Sequence, residues 1–150
     1  MAVRVQAEDF DPAAELAALA EEAGAPGAVV SFLGHVRGEK GAVSALTLEH
    51  YPGMAEKALE ALEAEARGRW ALEGCRILHR FGRLEPGARI VMVATASPHR
   101  GDAFAAAAFL MDRLKTDAPF WKREEGPQGA RWIGARESDA QARARWDEEG

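Results

Sequence analysis

The chain has one cysteine, Cys75, in 150 residues. That excludes an internal disulfide framework, a Cys-rich metal site and a CxxC redox pair, and it fits a reducing compartment, so a cytoplasmic protein is expected. No apolar run approaches the roughly 20 residues needed to span a bilayer. No signal peptide precedes the first charged residues, and no membrane partner is expected. Positive charge is outweighed: the net charge is −5, which argues against nucleic acid as a partner, since broad binding needs a basic footprint. There is no P-loop, no GxGxxG fingerprint, no GxSxG elbow, no HExxH pair and no carboxylate cage. The four histidines are dispersed, so neither a metal nor a bound cofactor is expected.

What is present concentrates between Ser97 and Glu125, SPHRGDAFAAAAFLMDRLKTDAPFWKREE. His99-Arg100 precedes a run in which Ala103, Phe104, Ala107, Leu110, Met111 and Leu114 recur at three- and four-residue spacing. That spacing predicts a helix buried on one side, with Asp102 available to cap its N-terminus and Lys115 in its last turn. Pro119 forbids continuation, and Phe120-Trp121-Lys122-Arg123 resumes as an extended segment. The chain thus turns between two lysines, which lets Lys115 and Lys122 point into one pocket from different elements. A lysine in a last helical turn also complements the helix dipole, and a Lys-Arg-Glu run also suits a solvated face.

The remainder reads as scaffold. Val3 to Gln6 alternates as an edge strand, and Asp11-Pro12 opens a helix that Gly24-Ala25-Pro26-Gly27 ends. Gly27 to Arg37 is a strand by composition, with Gly34 marking a bulge or a close approach. Ser44 to His50 alternates as a second strand, expected to pair with the first. Met54 to Trp70 is an amphipathic helix with a stripe of Ala55, Ala58, Leu59, Leu62, Ala66 and Trp70. Cys75 to Phe81 and Ile90 to Ala96 are strands, separated by a turn at Leu84-Glu85-Pro86-Gly87. His79, on a mostly apolar strand face, reads as a hydrogen-bonded core residue. Phe120–Glu124 and Ala130–Arg136 form a hairpin, and a charged tail follows, docked through Trp146.

From Ser97 to Arg136 there are two more basic than acidic residues, in an acidic protein. Arg37, His99, Arg100, Lys115, Lys122, Arg123 and Arg136 are the candidate cations. Guanidinium forks and a helix N-terminus suit a phosphate, and a lysine desolvated beside other cations can act as acid, base or nucleophile. On these residues alone the chain holds an anion site, catalytic or purely binding.

The segments GAVVSFLGHVR, LEHYPGMAE, HRFGRLEPG, SPHRGDAF, MDRLKTDAPFWKRE and RWIGARESD run in order from Gly27 to Asp139. Together they resemble the large catalytic subunit of molybdopterin synthase. The resemblance implies one domain over residues 1–150, with a short C-terminal tail from about residue 137. The implied fold is α+β, of the α/β-hammerhead type with an additional antiparallel β subdomain. It implies conversion of cyclic pyranopterin monophosphate into molybdopterin, the two dithiolene sulfurs arriving as a thiocarboxylate on the C-terminal Gly-Gly of a small ubiquitin-like sulfur-carrier subunit. Family members form a homodimer of large subunits with a small subunit at each end, a heterotetramer. Carried onto this sequence, Lys115 and Lys122 are the catalytic pair, and Arg37, His99 and Arg100 hold the substrate phosphate. Arg123 and Glu124 line the wall, and Arg136 reaches into its own or a neighbouring pocket. The competing reading is a non-catalytic phosphate-binding module in which the lysines merely bind.

Overall fold

The structure is a computed structural model that describes residues 2–38, 44–127, 129–133 and 137–148. In chain order the elements are β1 (Val3–Gln6), α1 (Pro12–Ala23), β2 (Ala28–His35), β3 (Ala45–His50), α2 (Met54–Arg69) and β4 (Gly74–Arg80). There follow β5 (Gly82–Leu84), β6 (Arg89–Ser97), α3 (Arg100–Asp117), β7 (Phe120–Gly126), β8 (Gly129–Ile133) and α4 (Glu137–Glu148). Local chemistry explains most boundaries. The Asp11 carboxylate accepts the Ala13 and Ala14 N–H groups, Pro12 fills the first helical position, and Gly24 closes α1 at φ 72°. At α2 the Glu56 carboxylate reaches back to the Gly53 N–H at 3.0 Å.

The strands form two four-stranded sheets, in the orders β1-β4-β6-β2 and β5-β3-β7-β8. In the first, β1 lies parallel to β4 and the other pairs are antiparallel; the second is wholly antiparallel. This is the α+β fold with its extra antiparallel subdomain. The expected pairing of the 44–50 strand with its predecessor is not what forms. Instead β3 lies between β5 and β7, with His50 opposite Phe120 and Leu48 opposite Lys122. Leu46 and Leu48 bury against Val36 and Leu84 in a small core of their own, which anchors β3 in the second sheet.

The first sheet is covered on both faces. One face of β4 and β6 (Cys75, Ile77, Val91, Val93) packs against α2 and α3, and Trp146 of α4 joins that core. The Trp146 ring meets Trp70 and Phe109 edge-on, and its indole N–H donates to Asp112 at 2.7 Å. The tail is thus a helix docked into the main core. The other face (Leu78, Met92, Ala94, Ala96) packs against α1 through Leu19.

The strand order has a consequence for the site. β2 starts beside Ser97 and finishes beside Arg89, so its two ends lie at opposite ends of β6. α3 leaves that Ser97 end and runs back over the sheet until Leu114 packs with Val91 and Val3. Eighteen helical residues cover about 27 Å.

The connection into α3 is tight. A Cβ on Gly27 would stand 1.9 Å from the Pro98 carbonyl oxygen, whereas one on Gly68 in α2 would meet nothing within 4 Å. Gly27→Ala is therefore expected to lower the unfolding free energy by about 1–3 kcal/mol. Gly68→Ala should raise it by about 0.5–1 kcal/mol, through helix propensity. Urea denaturation of both variants checks the pair, and equal effects at the two positions would contradict the packing described.

Candidate functional site

α3 stops because Pro119 cannot continue it: Ala118 is already extended at φ −75°, ψ 136°, and the Phe120 N–H donates to the Ala118 carbonyl at 2.9 Å. Strand alternation then sorts β7. Phe120, Lys122 and Glu124 share the face that carries Leu46, Leu48 and His50 on β3. Trp121, Arg123 and Glu125 take the other face. There Trp121 meets the Tyr51 ring edge-on at 5.0 Å, and Arg123 lies 3.9 Å from Glu125. Glu124 therefore accompanies Lys122, 3.6 Å from Arg131, while Arg123 points away from both. Trp132 sits opposite Arg123 in register.

Beneath the bend lies His79, at the end of β4 and only 3% exposed. Its ring stacks on Phe120 with centroids 3.7 Å apart and planes 15° from parallel. His50 lies 5.9 Å from Phe120 and 4.3 Å from Phe81. His79 Nδ1 is 2.8 Å from the Arg80 carbonyl, which only accepts, so Nδ1 carries the proton. Burial pushes the imidazole down from its ordinary 6.5 to about 4, and the charges of Lys122, His50 and Lys115 push the same way, so it is neutral at physiological pH. Both lysines thus act on one buried ring. Lys122 is half-buried and Lys115 exposed, on either side of the Pro119 turn. The reading of His79 as a hydrogen-bonded core residue holds; its place under the lysine pair was not legible locally, because Phe120 reaches it from another sheet.

Arg37 follows β2 at this same end, next to Val36, which packs against Leu48, the strand partner of Lys122. His99 and Arg100 do not join them. They are exposed at the opposite end of the first sheet, at the N-terminus of α3, with the His99 N–H 3.4 Å from Ser97 Oγ. Lys115 lies fifteen helical steps beyond Arg100, about 22 Å along the axis. Asp102 does not cap α3 as expected; its carboxylate accepts the Ala71 N–H at 3.2 Å, tying the helix to the end of α2. Arg136 lies outside the described residues. Among the described residues the candidate cations thus fall at two ends, one with Arg37 and the lysine pair, the other with His99, Arg100 and a helix N-terminus.

Among the described residues no three His, Cys, Asp or Glu side chains are grouped to hold a metal ion. Cys75 is buried, and burial pushes its thiol up to about 12, so it supplies no thiolate. No helix among the described residues is long and apolar enough to cross a membrane.

Residues 5–117 match the family model described as MoaE protein. The molybdopterin synthase catalytic subunit of Rhizobium meliloti (strain 1021) is 56% identical over 146 residues, covering 96% of this chain and 94% of that protein. The structure of the molybdopterin biosynthesis MoaE protein from Burkholderia ambifaria MC40-6 superposes with a TM-score of 0.85 at 54% identity, over 98% of this chain and 99% of that one. That of molybdopterin synthase from Staphylococcus aureus does so at 0.78 and 34% identity, over 87% and 95%.

The neutral His79 sets an acid limit. Its folded pKa lies below its unfolded value, so below pH 6.5 the unfolded chain takes a proton that the folded chain refuses until about pH 4. Stability from this residue is complete above pH 6.5 and declines as pH falls through that window, by about 3 kcal/mol in all. Urea unfolding across the window should show the native chain losing that much more than His79→Phe; parallel curves would refute it.

Proposed function

The chain belongs to the MoaE family of molybdopterin synthase catalytic subunits, and on that premise we propose that it installs the two dithiolene sulfurs of molybdopterin with Lys115 and Lys122 as its catalytic pair. The observation that carries the residue assignment is that the charges of both amines act on the buried His79 ring, stacked on Phe120, from the end of α3 and the start of β7. The substrate, cyclic pyranopterin monophosphate, and the sulfur donor, a thiocarboxylate, are both anions. Cations on either side of a turn attract both and stabilise charge that shifts between them. Lys115 stands as the proton donor, or as the amine of a transient adduct, at the carbon that receives sulfur. Lys122 assists the same steps and orients the donor tail, with Glu124 on its strand face. Because Cys75 holds no thiolate, sulfur has to come from a second protein, the small ubiquitin-like subunit with a C-terminal Gly-Gly thiocarboxylate. The cytoplasm, where the single thiol stays reduced, is the compartment in which we place the reaction.

The distance along α3 shapes this reading. His99 and Arg100 of one chain are too far from its own lysines to share a small substrate with them, so we assign the phosphate-binding role to His99 and Arg100 of a second copy. β2 is suited to that assembly: it is the outer strand of its sheet, with Val29, Phe32 and Leu33 exposed, and α3 adds the exposed Phe104. Two β2 edges meeting antiparallel about a two-fold axis would set the His99–Arg100 end of one copy beside Arg37 and the lysines of the other.

Reconstitution with a thiocarboxylated small subunit and the cyclic precursor, read by mass analysis of the pterin, tests both parts. Lys115→Ala should lower turnover by about 100-fold or more, the scale of a lost acid–base group, with precursor affinity largely retained; affinity and turnover falling in step would favour the binding-module reading. Lys115→Ala and Arg100→Ala chains, each inactive alone, should recover about a quarter of wild-type activity when unfolded together and reassembled, since half the dimers then hold one complete site. No recovery would place His99 and Arg100 outside the site.

A further inference from the structure

His79 takes no part in the reaction as described, yet it is the only described ring of the first sheet that stacks on the strand carrying Lys122. We propose that His79 is a positioning residue, the fixed plane against which Phe120 sets the spacing of Lys115 and Lys122. The proposal rests on the sulfur-transfer reading of the lysine pair and deepens it.

Three features support it. The seat is rigid: β4 is hydrogen-bonded on both sides, to β1 and β6, and the Nδ1–Arg80 contact fixes the ring's orientation on its strand. The contact is placed where it matters, since Phe120 is the first residue of β7, directly after the proline bend and two residues before Lys122. Finally, the seat adds no charge. The charges of Lys122 on β7, His50 on β3 and Lys115 at the end of α3 all act on the ring, and a protonated side chain there would repel the amines it positions. A flat, neutral, buried ring meets all three demands, whereas a branched aliphatic side chain would not hold Phe120 in plane. A displacement of about 1 Å at a reacting group is enough to cost about 100-fold in rate, so a residue that never touches substrate can govern turnover.

The test separates this from a general loss of stability and from the functional reading beneath it. His79→Ala should lower kcat about 10- to 100-fold in the reconstituted reaction, with KM for precursor and for small subunit changed less than about threefold. His79→Phe, which keeps a neutral plane, should restore kcat to within about fivefold of wild type. A short amine–amine cross-linker should join Lys115 to Lys122 in the wild-type protein, and the yield should fall in His79→Ala and recover in His79→Phe. If His79→Ala does not fold, Phe120→Leu removes the other half of the stack and should give the same two losses. Wild-type protein that cross-links but transfers no sulfur would defeat the functional reading instead. Unchanged kcat and unchanged cross-linking in His79→Ala, or KM rising as much as kcat falls, would overturn the positioning role.

Discussion

The packing of α3 along the first sheet is the constraint on which the site depends. Its buried face, from Ala103 through Phe109 and Leu110 to Leu114, follows β6 backwards, so the helix can neither shorten nor tilt without opening the main core. A helix that matches the length of its sheet has its ends on opposite sides of the molecule. The N-terminal end, with its positive dipole and His99-Arg100, is therefore committed to one place, and Lys115 to the other. No side-chain rotamer closes a gap of about 22 Å. The separation of the two cationic groups follows directly from the burial pattern that folds the chain.

Much of the remaining charge is structural. Arg76 is buried and bonded to Glu22 at 2.6 Å, with Glu15 also near; Arg89 pairs with Asp9 at 3.0 Å; Arg113 joins Glu65 and Asp117. The Arg76 guanidinium holds the Glu22 carboxyl below its ordinary range, and Asp117 is lowered by Arg143 and Arg113 against the opposing effect of burial. These pairs pin α1 to β4 and α4 to α3. In a protein of net charge −5, these arginines hold elements together. Composition does not say which arginines are used this way; only their placement in space does.

That distinction marks the boundary of what the sequence could disclose. Helix periodicity, the Asp11-Pro12 start, the bulge at Gly34 and the Pro119 turn are local, and each appears where the pattern puts it: the register of β2 shifts between Gly34 and His35, and a Cβ on Gly34 would press on Val91 at 2.7 Å. The alternation of β3 specifies a buried face without naming a partner; Leu46 and Leu48 find Leu84 and Val36, and β7 arrives 70 residues later. Asp102 lies in the first turn of α3, where a carboxylate suits the helix N-terminus, but a backbone N–H from the end of α2 takes its carboxylate. The two lysines were legible as flanking one turn. The ring beneath them was not, since the link from His79 to Phe120 joins two sheets.

The site thus occupies a joint, and its make-up follows from that. Lys122 belongs to the second sheet and Lys115 to the helix covering the first, so their separation is set by how the two units meet, through the Pro119 bend and the aromatic contacts below it. A joint lined only with aliphatic side chains would bind the sheets without fixing their angle, because branched side chains adapt to one another by rotamer changes. Stacked rings slide little and tilt less, and in the series His50–Phe120–His79 adjacent planes lie within 23° of each other. Such precision has no value for merely attracting an anion, which a looser set of cations would do as well. It has value where an amine must stay aligned with a reacting carbon while a second protein's tail enters. The aromatic joint is therefore the feature of the fold that favours a catalytic lysine pair over a binding one.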